Sequence, residues 1–428
     1  MEGIIFIVLL IILFVIGVPI AFSLGITAVT LMFISFGKLT FASIPQMMIS
    51  GVNTFTLLAV PLFLLAGKLM NTGGITDRLF KFATTMVGFL PGGLGHVNVV
   101  ASVIFSGMSG TAVSDAGGLG MIEIRAMREH GFDNEFACSV TAASSTIGPI
   151  IPPSLPMVIY GMLASASVGT LFIAGIIPGL FMALIMMLVV TIYAKKRKYP
   201  REKVPTFREF LTSLRQGILP LITPLIIIIG IYSGIFTPTE AAVVVVFYAL
   251  FLSFVVYKEM TMKKLYAVLQ ETVRDSAVIG LIVGASALYG SVIIRAMIPQ
   301  AILETVTASI TSPLVMLLIL NLFLLIVGCF LETVSAITIL MPLIFPLLVT
   351  TGIDPIHFGV IMVLNLMIGV ITPPFGLVMF VISKIGDISV TRLSRVLLPW
   401  IGALLFALLI LTIFPQITLF LPKLLGMI

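Results

Sequence analysis

Charge is the scarcest commodity in this 428-residue chain: Asp, Glu, Lys and Arg together make up 9%, against 60% apolar residues. Ordinary soluble domains carry about a quarter charged residues, so a water-soluble globule is excluded. A mean hydropathy of +1.26 and long apolar runs are satisfied only by helices in lipid, because hydrocarbon offers open backbone no hydrogen-bond partner. The two cysteines, Cys138 and Cys329, lack CxxC spacing and sit among apolar or small residues, so neither a disulfide framework nor a metal site is expected. Three histidines, His96, His130 and His357, are too few and too scattered for metal or acid–base chemistry. There is no Walker A pattern, no HExxH and no GxSxG, which argues against ATP-driven pumping and embedded hydrolysis; the chain is not expected to be an enzyme. The N-terminus lacks a basic n-region and its apolar run continues to about Phe36, which reads as a first membrane helix and not a cleaved signal.

What charge there is falls in loops, so the formal +6 is a topology signal and implies no nucleic-acid partner. The lipid bilayer is the partner that composition demands. Lys195-Lys196-Arg197-Lys198 opens a stretch that holds eight basic residues through Arg215, against Glu202 and Glu209, and this linker is expected in the cytoplasm. Spans are expected over about 3–36, interrupted at Gly17-Val18-Pro19, and over about 45–71, 169–194, 217–236, 239–257 and 397–421.

Other stretches are not ordinary spans. The apolar run Val97 to Phe105 covers roughly 14 Å of helix, half a bilayer, before Ser106-Gly107-Met108-Ser109-Gly110-Thr111. The chain then returns toward Arg125 and Arg128, which predicts a re-entrant hairpin over about 97–128. Residues 136–166 read as a helix broken at Gly148-Pro149-Ile150-Ile151-Pro152-Pro153. This pair recurs. His130 to Asp133 matches Thr351 to Asp354, and Gly148 to Pro153 matches Gly369 to Pro374, both at an offset of 221 that also brings Gly107 onto Gly328 and Val113-Ser114 onto Val334-Ser335. A second hairpin over about 313–350 and a second broken helix over about 357–383 follow.

The fold class is therefore an all-α polytopic membrane protein with two structural repeats, each with a re-entrant hairpin and a broken helix. The division is 1–194 as first half, 195–216 as basic linker and 217–428 as second half. Interrupted segments at matching places in two halves point to a secondary transporter with its site near the midplane.

Proline removes its own donor and displaces the carbonyl four residues earlier, so Pro149, Pro152 and Pro373 are expected to free the carbonyls of Ser145, Gly148 and Gly369. A desolvated alkali cation would satisfy several at once. The hairpin tips add hard oxygens from Ser106, Ser109 and Thr111 in one half, and from Thr333 with the Gly328 backbone in the other. The bland alternative is that small residues merely allow close helix packing. Ionisable residues inside spans are functional candidates: Asp115, Glu240, Arg295 and Glu332. Arg295 suits a carboxylate, although an arginine here also serves as an interfacial anchor or as the partner of one of the acids. Glu240 either belongs to coupling or caps a helix starting near Ala241.

These residues resemble the large membrane subunit of the tripartite ATP-independent periplasmic (TRAP) transporters. The resemblance rests on Ala59-Val60-Pro61-Leu62-Phe63, on Phe105 to Asp115, on the break from Ile147 to Pro153, on Gly234 to Ala242 and on Ile371-Thr372-Pro373-Pro374, and it spans essentially the whole chain. It implies a multi-pass protein of the bacterial or archaeal cytoplasmic membrane, importing organic acids with Na⁺ as coupling ion and no other cofactor, by an elevator motion. It also implies two partners, a small four-helix membrane subunit and a periplasmic solute-binding protein. The family's ion sites map here onto Ser106, Ser109, Ser145 and Gly148, and onto Gly328, Thr333, Gly369 and Thr372. Pro149, Pro152, Pro153, Pro373 and Pro374 shape the breaks, while Thr111, Asp115 and Arg295 are candidate substrate-side residues. The cargo stays open among C4-dicarboxylates, sialic acid and other sugar or keto acids. The rival within transport is a binding-protein-independent dicarboxylate symporter of similar hairpin architecture.

Overall fold

The computed structural model describes residues 2–36, 43–307, 310 and 312–428; the side chains at 2–7, 15, 35–36, 107–109, 216, 301–302, 305 and 307 also lie outside the description. Among the described residues there is no strand. In chain order come α1 (Glu2–Val15), α2 (Ile20–Phe36), α3 (Ser43–Val52), α4 (Ala59–Thr72), α5 (Ile75–Val87), α6 (Gly93–Ser109), α7 (Ala112–Glu129), α8 (Asn134–Ser144), α9 (Leu155–Leu163) and α10 (Val168–Arg197). Then follow α11 (Phe207–Tyr232), α12 (Pro238–Phe251), α13 (Met262–Arg295), α14 (Ile298–Thr307), α15 (Pro313–Gly328), α16 (Thr333–Thr351), α17 (Pro355–Gly369), α18 (Leu377–Ile385), α19 (Val390–Ile413) and α20 (Pro415–Leu424). Six helical segments among the described residues are long and apolar enough to cross a membrane.

Both hairpins and both breaks form. α6 and α7 pack as an antiparallel pair turned at Gly110, which takes the left-handed φ of +63° that glycine adopts without cost. The first helix of each broken pair, α8 or α17, ends before the proline pair, and the chain resumes as α9 or α18. Pro152-Pro153 and Pro373-Pro374 both contain cis peptide bonds.

The matching elements interlock. α16, the return arm of the second hairpin, packs on α9, while α18 packs on α7; likewise α10 packs on α17 and α19 on α8. Around this core, α2, α3 and α4 lie against α13, α12 against α4, and α11 against α5 and α12.

Orientation follows from the basic end of α10. A Cβ at Gly92, where α6 begins, would meet Ala194, and Asp133 after α7 is bonded to Arg197. The first hairpin thus enters and leaves on the face marked by Lys195 to Lys198, the end that the charge pattern predicts to be cytoplasmic. α17 starts beside the other end of α10, where a Cβ at Gly359 would meet Leu171, so the second pair has the opposite orientation.

The structure corrects several expected boundaries. The expected single span over 45–71 is two helices, α3 and α4, separated by Asn53-Thr54 and a 3₁₀ turn at Phe55–Leu58, because polar Asn53 and Thr54 interrupt the apolar pattern. The final span expected at 397–421 begins earlier, at Val390, where Arg392 and Arg395 had masked the helix, and it stops at Ile413. Pro415 ends it by removing a donor and disfavouring helical backbone at Phe414, whose φ and ψ are −115° and 77°. α13 extends over 34 residues where no span was expected; its first half carries Lys263, Lys264, Glu271, Arg274 and Asp275, and its second half is apolar.

Candidate functional site

The first hairpin tip meets the first break. Thr111 caps α7, its Oγ1 accepting from Ser114 N at 3.3 Å. The Gly110 carbonyl accepts from Leu155 N at 3.3 Å, tying the tip to the point where the broken helix resumes. A Cβ at Gly148 would lie 3.7 Å from the Thr111 carbonyl oxygen and 3.9 Å from Asp115 Cβ, so Gly148, Thr111 and Asp115 share one small space. Asp115 is 2% exposed and lies beside Ser102, with neither carboxylate oxygen in hydrogen-bond geometry.

The second tip meets the second break more tightly. A Cβ at Gly369 would fall 2.4 Å from the Gly328 carbonyl carbon, so the two backbones touch. Glu332 caps α16 through Oε2, which accepts from Ser335 N at 3.2 Å, and Thr333 is buried directly after it. The first break is enclosed, with Pro149, Pro152 and Pro153 all buried; at the second, Pro373 and Pro374 are exposed.

Two of the three carbonyls expected to be free are not. The Ser145 carbonyl accepts from Gly148 N at 3.2 Å and the Gly369 carbonyl from Thr372 N at 2.9 Å, because the chain tightens into i to i+3 turns where the prolines stop the helix. Each retains a second lone pair for an ion. The hydroxyls are turned inward on their own helices: Ser106 donates to the Ser102 carbonyl, Ser145 to Ala142 O at 2.9 Å and Thr372 to Ile368 O at 2.7 Å. A hydroxyl so engaged still presents its oxygen as an acceptor. The side chain of Ser109 lies outside the described residues.

Two candidates lie elsewhere. Glu240 forms a capping box: its Oε2 accepts from Thr237 N at 2.8 Å, while Thr237 Oγ1 accepts from Glu240 N at 3.3 Å. Glu240 thus has a local capping role at the start of α12. Arg295 is exposed at the end of α13, and among the described residues it has no ion-pair partner and is not brought to either tip.

Two buried networks were not anticipated. Asn98 on α6 donates to Glu123 Oε2 at 2.6 Å and to Thr141 Oγ1 at 2.8 Å, and its Oδ1 accepts from Ser144 at 2.7 Å. In the second half Asn365 donates to Asn321 Oδ1 at 3.0 Å, and Asn321 donates to Thr412 Oγ1 at 2.8 Å. Ser144 and Asn365 differ by the repeat offset of 221, a signal the sequence carried without indicating the partners.

Fold and site together define a class, a multi-pass helical membrane transport protein with paired re-entrant hairpins packed against broken helices. The family model described as the tripartite ATP-independent periplasmic transporter, DctM component, matches residues 7–417, and the chain belongs to that family. It is 46% identical over 409 residues to the sialic acid TRAP transporter large permease of Vibrio cholerae, covering 95% of each chain. It is 41% identical to the C4-dicarboxylate TRAP transporter large permease of Pseudomonas aeruginosa over 373 residues, 87% of each. The sialic acid TRAP transporter permease of Haemophilus influenzae is 41% identical over 97% of this chain and 67% of its own length. Among solved structures, the YdaH transporter of Alcanivorax borkumensis shares the fold at a TM-score of 0.62 and 12% identity, covering 86% of this chain and 87% of that one. The protein is thus a large TRAP permease of the cytoplasmic membrane.

Proposed function

We propose that this chain is the membrane-crossing part of a sodium-coupled importer of an organic acid, delivered by a periplasmic binding protein and carried by an elevator motion alongside a small four-helix subunit. The observation that carries this reading is the duplicated contact of a hairpin tip with a proline-broken helix, which gathers backbone oxygen deep in an apolar protein. A desolvated sodium ion is a partner for such oxygens. In this reading one ion lies among Ser106, Ser109, Ser145 and Gly148, the other among Gly328, Thr333, Gly369 and Thr372. Thr111 and Asp115 face the cargo at the first tip. The 34 residues of α13, roughly 51 Å of helix, are long enough to carry the chain from Lys263 to Arg295 on the periplasmic side, where the guanidinium would meet an arriving carboxylate. Names of relatives support an acidic cargo, one being a sialic acid and another a C4-dicarboxylate permease.

Uptake of a radiolabelled cargo into vesicles holding the chain, its small subunit and binding protein tests this. Transport in sodium and its collapse in choline buffer are expected. Equal transport in choline would remove sodium coupling, and uptake by the chain alone would remove the binding protein from the reading.

A further inference from the structure

α7 carries a second buried acid that the proposed ion positions do not use. Glu123 lies eight residues beyond Asp115 on the same buried face and is 1% exposed. One oxygen accepts from Asn98 at 2.6 Å; the other, Oε1, has no hydrogen-bond partner. The Asn98 amide is fully used, since its second N–H goes to Thr141 and its oxygen to Ser144, so it has no further donor for the acid.

No cation compensates Glu123 among the described residues. The ionisable groups on the elements packed against α7 are His96 on α6, Glu135 and Cys138 on α8, Lys384 on α18, Lys68 on α4, and Asp77, Arg78 and Lys81 on α5. Glu135 is paired with Arg392, Lys68 with Asp275 and Arg78 with Glu259; Lys384, Lys81 and Asp77 are exposed; His96 contacts Thr191. On α7 itself Asp115 is another acid, and Arg125, Arg128 and Glu129 lie exposed at the cytoplasmic end with His130 just beyond. A dry carboxylate without a counter-charge is far more costly than a neutral carboxylic acid in the same place.

We propose that Glu123 is a proton-binding site, distinct from the cation positions, whose occupancy is transmitted through Asn98 to Thr141 and Ser144 at the start of the first break. The proton comes from water at the cytoplasmic end of α7 and returns there, converting carboxylate to acid and back with no other group changed. Asn98 links the two events because the amide that holds Glu123 also holds Ser144, the residue before Ser145. The second half shows the contrast: the offset of 221 puts Ile344 opposite Glu123, and Asn365, opposite Ser144, bonds instead to Asn321 in a network that has no acid.

Infrared difference spectroscopy of the purified full chain across a pH step reads this without sodium or cargo, so its failure is distinct from a failure of sodium coupling. A protonated-carboxyl band present at neutral pH should vanish in Glu123→Gln and survive in Asp115→Asn. Should Glu123→Gln fail to fold, Glu123→Asp should shift the band. A band unaltered by either Glu123 substitution, or none to alter at neutral pH, overturns the proposal.

Discussion

Replacing Gly369 by alanine puts a methyl group into the seam between the second hairpin tip and its broken helix. Its Cβ would stand 2.4 Å from the carbonyl carbon of Gly328, 2.5 Å from its Cα and 2.6 Å from its oxygen. All three atoms are backbone, so no side chain can rotate aside. Carbon atoms in contact rest about 3.5–4.0 Å apart, so α15 and α17 must separate by roughly 1 Å. Overpacking of this kind costs about 1–3 kcal/mol, which, if it falls on the ion-bound arrangement, lowers apparent sodium affinity by roughly 5- to 150-fold. The reciprocal change is milder, because a Cβ at Gly328 would meet Gly369 Cα at 3.2 Å, a gap that a few tenths of an ångström relieves. The assay is the sodium concentration for half-maximal uptake, with thermal unfolding in detergent as the control for folding. A Gly328→Ala effect equal to or larger than that of Gly369→Ala, or an unchanged sodium dependence in Gly369→Ala, would refute the seam as an ion-binding contact.

Asn98→Leu removes three buried hydrogen bonds, which at about 1 kcal/mol each should cost about 2–4 kcal/mol and lower the melting temperature; an unchanged melting curve would contradict the network. Glu240→Gln should leave sodium-dependent uptake near wild type, since the side chain caps α12; lost uptake in a folded variant would give it a coupling role as well. The Tyr199 hydroxyl, and after it Arg197, hold the Asp133 carboxyl below the usual aspartate range. A depressed folded value means that this contribution is complete above the ordinary value near 3.9 and is lost as pH falls through the lower folded one. Because Asp133 is about half exposed, the effect should stay under about 1 kcal/mol, and Asp133→Asn should flatten acid-induced loss of stability below about pH 4; an unaltered acid profile would count against it.

Glycine and proline made the hairpins and breaks legible. Gly110 and the two proline pairs interrupt apolar runs too short to span, and the common offset of 221 ties them together. Glu240 was equally readable as a cap, because Thr237 stands three residues before it. What stayed hidden depends on partners far apart in the chain. Nothing local to Asn98 announces that it meets Glu123, 25 residues on, or Thr141, 43 residues on. Arg295 stood out as an ionisable residue interrupting an apolar stretch, but its local sequence did not announce that α13 ends with it and leaves it exposed, away from both tips. The freed carbonyls were inferred from helix geometry alone, and the turns that partly reclaim Ser145 and Gly369 form only once the helix has stopped.

The most direct test of two sodium pockets is equilibrium binding of radioactive sodium to the purified chain, counted per molecule, in wild type and in two variants. Ser106→Ala addresses the first pocket and Thr372→Val the second. Two saturable ions in the wild type and one in each variant are expected. No sodium-specific binding, or two ions retained in both variants, would contradict the account.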